Sequence, residues 1–283
     1  MRNQLQTTLF HPLLYTALLL LLLFSYDAYS ADISRDVREG REDESLEHGG
    51  YLEINFSSIL NKMPIPGSDE LIRTIGVGGH YRYKRFFIDA HAESYNQFQL
   101  GLNAYSGDVW SVDFLTATSE NGVDNELNTE LELLDTLLTK RESASYLGIR
   151  TTGYNDPYIL QFESLWDISE VHYGTLLTAS IGRTWLYRNW NFHALMGARF
   201  ETERALDYQF GIDAHEASVA YPEYQAGSGT TFVTETGVTY PLNQYWVLKS
   251  TFRWWELPSA VVGSPFITDD SYLTFSNSIT FVY

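Results

Sequence analysis

The residues with the clearest potential for chemistry are Asp89, His91 and Glu93, in the run Asp-Ala-His-Ala-Glu. Alternate side chains of a strand point to the same face, so the two carboxylates and the imidazole would lie together. This spacing fits an acid–base cluster or a metal site. The alternative is a network of ion pairs with neighbouring strands, including Arg82. We favour the network, because a same-face pattern of this kind is a weak metal signal.

A second candidate is the acidic stretch 119–135 (SENGVDNELNTELELLD), which could bind calcium alone or bridge it to lipopolysaccharide phosphates. It lacks the ordered spacing of an EF-hand loop, so a solvated acidic loop is favoured. No Gly-x-Ser-x-Gly element surrounds a serine, so the sequence shows no sign of the nucleophile that a lipase needs beside a histidine base. We therefore expect no catalytic residue, no cofactor, no metal and no enzymatic activity.

The composition narrows the partners further. The 283 residues carry 18 Lys and Arg against 36 Asp and Glu, a formal net charge of −18. Nucleic acid repels so acidic a chain, which excludes it as a partner. The absence of cysteine excludes disulfides and thiolate metal sites. The mean hydropathy of −0.20 does not indicate a membrane protein, but an average hides any alternation.

The first 30 residues are typical of a secretory signal peptide. Arg2 precedes an apolar run from Pro12 to Phe24, and Ala28-Tyr29-Ser30 places small residues before a cut at Ala31. As a helix the run spans about 20 Å, which is short of a hydrocarbon core of roughly 30 Å and disfavours a transmembrane anchor. Residues 31–48 are polar and highly charged, so we expect a loosely held periplasmic segment.

From Gly49 onward apolar and polar residues alternate, which indicates strands with one apolar and one polar face. A soluble β-sandwich also alternates, but aromatic residues at strand ends and mid-strand charges of both signs favour a membrane barrel. The segment 176–186 is ambiguous, because Arg183 is in phase with Leu177 and Ile181. The pattern predicts an all-β fold, a closed transmembrane antiparallel β-barrel over residues 49–283 in the cell outer membrane of a Gram-negative bacterium.

Twelve strands are predicted, with ten as the fallback. They are expected at 49–57, 71–83, 86–94, 97–105, 108–116, 143–152, 157–168, 173–186, 189–200, 229–240, 244–256 and 271–283. An even count places both termini in the periplasm. The short turns are then periplasmic, and the long connections 58–70, 117–142, 201–228 and 257–270 are extracellular. The segment 206–212 also looks like a strand but would make a thirteenth, so we assign it to an extracellular loop.

Short motifs follow one another in a recognisable order. They are Tyr208-Gln-Phe-Gly-Ile-Asp-Ala-His-Glu-Ala, Tyr221-Pro-Glu-Tyr-Gln-Ala-Gly, Gly237-Val-Thr-Tyr-Pro-Leu-Asn-Gln-Tyr-Trp and, after Leu257, Gly263-Ser-Pro-Phe-Ile. Residues 64–70 (PIPGSDE) and Arg85-Phe86-Phe87 add weaker matches. In order and spacing the motifs resemble the MltA-interacting protein (MipA/OmpV) family. The resemblance is good over 180–283, patchy over 49–116 and poor over 117–145.

The resemblance implies an outer-membrane barrel. In the best-known member of the family it implies a scaffold that joins a lytic transglycosylase, which cleaves murein, to a penicillin-binding protein, which synthesises it. Other members are described as porin-like or adhesive. The expected partners are these two enzymes, outer-membrane lipid and lipopolysaccharide, and the barrel assembly machinery through the strand that ends at Tyr283.

Charged residues on the predicted lumen face are the candidate site. The possible charge network comprises Arg82, Asp89, His91, Glu93, Arg150, Glu163, Arg199, Glu235, Lys249 and Arg253. If these residues pair and plug the interior, the barrel is closed and acts as a scaffold. If they line opposite walls, they form a selective constriction in a narrow porin-like channel for small solutes. Twelve strands lie between the filled eight-stranded and the open sixteen-stranded barrels, so both alternatives stay open.

Overall fold

The fold is known from a computed structural model, which describes residues 48–62, 64, 70–90, 96–119, 139 and 141–282. The expected signal peptide and nearly all of the polar segment 31–48 lie outside the described residues. The strands are β1 (His48–Lys62), β2 (Glu70–Tyr83), β3 (Phe86–Ala90), β4 (Asn96–Ser106), β5 (Trp110–Ser119), β6 (Ala144–Asn155), β7 (Tyr158–Asp167), β8 (Thr175–Tyr187), β9 (Trp190–Glu201), β10 (Gly229–Pro241), β11 (Trp246–Glu256) and β12 (Ser271–Val282). Two short helices are α1 (Glu203–Phe210) and α2 (Ser259–Val262).

The strands close into one antiparallel barrel, in which each strand pairs with its sequence neighbours and β1 pairs with β12. At this seam Glu53 lies opposite Val282 and Lys62 opposite Leu273. Closure gives the backbone N–H and C=O groups of both edge strands a partner, which a strand in lipid requires. The predicted twelve-stranded barrel is confirmed, and the ten-stranded alternative is wrong.

The two ends of the barrel differ in their connections. The short-turn end carries the turns 84–85, 107–109, 156–157, 188–189 and 242–245, together with the start of β1 and the end of β12. The other end carries six connections, namely 63–69, 91–95, 120–143, 168–174, 202–228 and 257–270, and we call it the long-connection end. The side of the membrane that each end faces stays a prediction.

The outer wall is apolar, as the alternation predicts. On β12, Phe275 and Ile279 are exposed, whereas Ser278 and Thr280 are buried inside the barrel. Exposed Trp, Phe, Leu and Ile side chains recur in the same phase around the barrel. Arg183, whose orientation was ambiguous, lies on this outer face between Ile181 and Trp185. Neither helix of the described residues has the length and apolarity that a membrane span requires.

The segment 206–212 corrects one expectation. It lies in a connection at the long-connection end as predicted, but residues up to Phe210 form α1 rather than a strand. Leu206 and Phe210 are one helical turn apart and both are buried, so the same two residues satisfy a helical spacing as well as an alternating one. A segment this short does not distinguish the two periods.

Candidate functional site: the charged lumen and its cap

The most deeply buried charge in the lumen is Glu235 on β10, which is 0% exposed. Arg253 on β11 lies directly opposite in the strand register. Its Nη2 and Nε are 2.5 and 2.7 Å from Oε2 of Glu235. On the other side, Nε2 of His193 on β9 is 2.9 Å from Oε1. Both carboxylate oxygens therefore have a partner, which such burial demands.

A second cluster centres on Arg150 of β6. Its Nη2 is 3.2 Å from Oδ2 of Asp113, and its Nη1 donates to Oε1 of Gln99 at 3.0 Å. Glu163 lies opposite Arg150 in the register with β7 and is also buried. Further along the wall, Nε of Arg199 is 3.7 Å from Oε1 of Glu201.

A third group lies beside the seam of the barrel. Nζ of Lys249 donates to Oε2 of Glu53 at 3.0 Å. Asn55 donates to Oε1 of Glu53 at 3.2 Å and accepts a hydrogen bond from Thr280 at 2.5 Å. These contacts join β11, β1 and β12, so polar side chains link the two edges that close the barrel.

Asp89, the first residue of the Asp-Ala-His-Ala-Glu run, contacts Nδ1 of His80 on β2. Both side chains are buried. Arg82 follows on the same face of β2. His91 and Glu93 lie outside the described residues. In the part of the chain that is described, no group of three or more His, Asp or Glu side chains is arranged to hold a metal ion.

Within the predicted network the structure pairs Glu235 with Arg253. Four other predicted residues contact residues outside it, namely Asp89, Arg150, Arg199 and Lys249. The structure adds His80, Gln99 and His193, which the sequence prediction did not include. Each of the three is in phase with the lumen face of its strand, and this phase is the signal that could have found them. The partner of a given charge was not predictable, because the pairing register was unknown.

One layer of the lumen is apolar, which corrects the expectation of a polar interior. Seven buried residues from β3, β5, β6, β7 and β8 form one cluster inside the barrel: Phe87, Leu115, Ala117, Ala144, Tyr146, Leu165 and Leu176. The row runs across the strands, since Leu115 lies opposite Gly148, Gly148 opposite Leu165, and Leu165 opposite Leu176. Gly101 leaves room for the ring of Phe87, because a Cβ there would overlap it.

The connections 202–228 and 257–270 form a cap over the long-connection end. From the cap, Ile212 and Phe266 pack against Val233 and Trp255 on the inner wall. A second cluster within the cap joins the two helices through Leu206, Phe210, Ala226 and Val261. The cap also reaches the β1–β2 connection, where the backbone N–H of Thr268 donates to the carbonyl oxygen of Pro64 at 2.8 Å.

An ion pair fastens the cap to the segment that precedes β6. Nη1 of Arg141 is 2.9 Å from Oε1 of Glu216, and its Nη2 donates to the carbonyl oxygen of Gly211 at 2.7 Å. Burial raises the pKa of Glu216, but hydrogen bonds from Arg141, Thr139 and the backbone of Asp213 outweigh this effect and lower it to about 2. Glu216 is therefore ionised at neutral pH.

His172 has the geometry that a catalytic histidine would need, but it is enclosed. Nε2 is 2.8 Å from the hydroxyl of Tyr146, and Nδ1 accepts the backbone N–H of Gly174 at 2.8 Å. Burial lowers its pKa despite the nearby Asp167. Both ring nitrogens are used within the protein, so this histidine acts as a neutral packing residue at the edge of the apolar layer.

The chain is similar to several solved structures at low sequence identity. Solved structures with a similar fold include OmpT of Vibrio cholerae (10% identity, 83% of this chain and 97% of that chain, TM-score 0.39). OmpF of Salmonella typhi in complex with daunomycin has 8% identity over 86% of this chain and 99% of that chain, with a TM-score of 0.40. OprD of Pseudomonas aeruginosa has 8% identity over 92% and 97%, with a TM-score of 0.36.

No curated protein matches the sequence at a significant level. The family model of the MltA-interacting protein MipA matches residues 56–283, which includes nearly the whole barrel and the cap. The match therefore covers the N-terminal strands, where the motifs are patchy, as well as the C-terminal motifs. The chain belongs to the MipA family of outer-membrane β-barrel proteins.

Proposed function

We propose that this protein is a non-conducting, non-enzymatic scaffold that holds murein enzymes at the outer membrane. The observation that supports the proposal is the set of paired side chains inside the barrel beneath the cap. The triad of Glu235, Arg253 and His193 lies inside the barrel, and the cap packs on the inner wall above it. A barrel whose interior is filled and covered offers its ends, rather than its lumen, for function.

The alternative is a narrow channel for small solutes. It requires a continuous water path past side chains that are more than nine-tenths buried, such as Glu235, Arg253 and Arg150. Planar-bilayer recordings of the purified protein test this point directly. We expect no reproducible single-channel steps. Steps that occur in the wild type and change in Arg253→Ala would overturn the closed scaffold in favour of the channel.

The partner follows from the family. The name of the family describes an interaction with MltA, a lytic transglycosylase, and we extend that partner class to this chain. A murein enzyme would meet the short-turn end if that end faces the periplasm. Three exposed cations lie in the short turns there, Lys84, Arg85 and Arg188, although the whole chain is acidic. These turns are the surface that we assign to the partner.

Binding of a purified lytic transglycosylase and a penicillin-binding protein to the detergent-solubilised barrel tests the scaffold. We expect the triple charge reversal Lys84→Glu, Arg85→Glu and Arg188→Glu to weaken binding about tenfold or more, because rim charges steer association and contribute to its strength. Arg204→Glu is the matched control, since Arg204 is exposed on α1 at the opposite end. Wild-type binding by the triple variant, or no binding by the wild type, would contradict the proposal.

The absence of catalysis has its own test. His172 is the histidine whose geometry comes nearest to an acid–base group, with Tyr146 and Asp167 beside it. We expect no hydrolysis of phospholipid or lipid A by the purified protein. Hydrolysis that His172→Ala abolishes, in a variant that still folds, would make the protein an enzyme.

A further inference from the structure

A cation on the lipid-facing wall is the feature that neither the scaffold nor the lumen explains. Arg183 lies on the outer face of β8, in phase with the exposed Ile181 and Trp185, while the adjacent Gly182 is buried. A charge on this face is costly near the middle of a bilayer and tolerated at its interface. The position of Arg183 along the barrel axis therefore decides what it can do.

On one side, Arg183 lies at the short-turn rim of the barrel. It is directly opposite Tyr158, the first residue of β7, so on that side the wall ends beside it. On the other side β8 and β9 continue to their own turn, where Tyr187 lies opposite Trp190. The wall therefore ends earlier at β7 than at the β8–β9 turn, and Arg183 lies at this offset among aromatic residues.

Two aromatic rings hold the guanidinium in place. Its carbon is 4.9 Å from the ring centroid of Trp185 and 5.3 Å from that of Tyr158. Nη1 donates to the hydroxyl of Tyr158 at 3.3 Å. Within the described residues Arg183 forms no ion pair, and its Nε has no hydrogen-bond acceptor. Nε is enclosed, so the three N–H groups of Nη1 and Nη2 that Tyr158 does not use are the ones that can meet an acceptor from outside the protein.

We propose that Arg183, oriented by Trp185 and Tyr158, binds the phosphate of a phospholipid in the leaflet next to the short turns. The planar guanidinium matches two phosphate oxygens, and such charge-assisted hydrogen bonds are stronger than neutral ones. The headgroup lies at the depth of the aromatic belt, where this phosphate is found, and the apolar wall above Arg183 receives the acyl chains. The site gives the barrel a bound lipid at a fixed position.

Native mass spectrometry of the detergent-solubilised protein with added phosphatidylglycerol tests the site. We expect Arg183→Leu to lower the occupancy of the tightest bound lipid about tenfold or more, the loss typical of a hydrogen bond to a charged group. Arg183→Lys keeps the positive charge but loses the planar guanidinium, so its lipid occupancy should lie between those of the wild type and Arg183→Leu. Arg204→Gln is the matched control, since Arg204 is an exposed arginine on α1 at the opposite end and belongs to neither proposed binding surface.

Heat-modifiable gel migration checks that each variant is folded. Parallel titrations with lipopolysaccharide and with inorganic phosphate identify the source of the phosphate. Equal lipid occupancy in wild type and Arg183→Leu would overturn the proposal. So would an Arg183-dependent retention of lipopolysaccharide or inorganic phosphate in place of phosphatidylglycerol.

Discussion

At the residue scale, we expect substitutions around the buried carboxylate of Glu235 to cost the most stability. Arg253 neutralises a carboxylate that water does not reach, and both Arg253 and His193 hydrogen-bond it. Each buried ion in such a group loses its hydration on folding, and only its partners compensate. The pair therefore fixes which strand faces meet inside the barrel more than it adds net stability.

Arg253→Met is the first prediction. It removes the guanidinium partner of the buried Glu235, and we expect the free energy of unfolding in detergent to fall by about 3–5 kcal/mol. Urea titration followed by tryptophan fluorescence measures the change. The double variant Glu235→Gln/Arg253→Met should recover most of the loss, because no buried charge is then left without its partner.

Asp213→Asn supplies the control for that measurement. Its partner His215 is 4.0 Å away, and both side chains are largely exposed. Surface pairs of this kind contribute little, so we expect a change of about 0.5 kcal/mol or less. A similar cost for Arg253→Met would contradict the buried-pair interpretation of the lumen.

At the element scale, the strands could be predicted almost completely and the lumen only in outline. Alternation on β12 sorts Phe275 and Ile279 from Ser278 and Thr280 without knowledge of any neighbour. Which charge meets which depends on register, so the contact of Asp89 with His80 could not be predicted from β3 alone. The apolar layer was missed because Leu115 and Leu165 are apolar residues in the lumen phase of their strands, where the alternation predicts polar ones.

The contact between β3 and β4 gives the second prediction. Phe87 fills the space that Gly101 leaves open on the neighbouring strand. We expect Gly101→Ala to cost about 1–3 kcal/mol by overpacking, measured by the same urea titration. Gly227→Ala is the control, since nothing lies within 4 Å of a Cβ there. Phe87→Leu combined with Gly101→Ala should restore part of the loss; no rescue would argue against this packing.

At the scale of the whole molecule, two polar contacts and one apolar cluster hold the cap to the rest of the barrel. The ion pair of Arg141 with Glu216 ties the cap to β6, and the backbone bond of Thr268 to Pro64 ties it across the mouth. Ile212 and Phe266 seal it against the inner wall. Because these contacts come from separate connections, the cap is held to the barrel at more than one point.

Acid weakening of the cap is the third prediction. The folded pKa of Glu216 is about 2, against an ordinary value of 4.5, so its stabilisation is complete above pH 4.5 and is lost as the pH falls toward 2. Hydrogen exchange of residues 211–226 is measured between pH 5 and pH 2.5. We expect their protection factors, which are corrected for the intrinsic exchange rate at each pH, to fall over this range. Glu216→Gln should show weak protection already at neutral pH and little further change.

Backbone amides of β11 and β12 provide the internal control, because their protection rests on the barrel sheet. If they lose protection in parallel with the cap, global unfolding rather than release of the cap has been observed. Unchanged protection of residues 211–226 down to pH 2.5 would contradict the role of Glu216.

The pairing of β1 with β12 is the closure between the two strands that are farthest apart in the sequence. Thr280 and Asn55, which hydrogen-bond across it, are 225 positions apart in the chain. Hairpins between sequence neighbours have short loops to close, whereas the entropy cost of this closure is the largest in the sheet. Until β12 meets β1 the molecule is an open sheet with two unpaired edges, the state most prone to join another chain. Pairing of β12 with β1 therefore removes both edges in one step, and the polar pairs beside the seam form only when that step is complete.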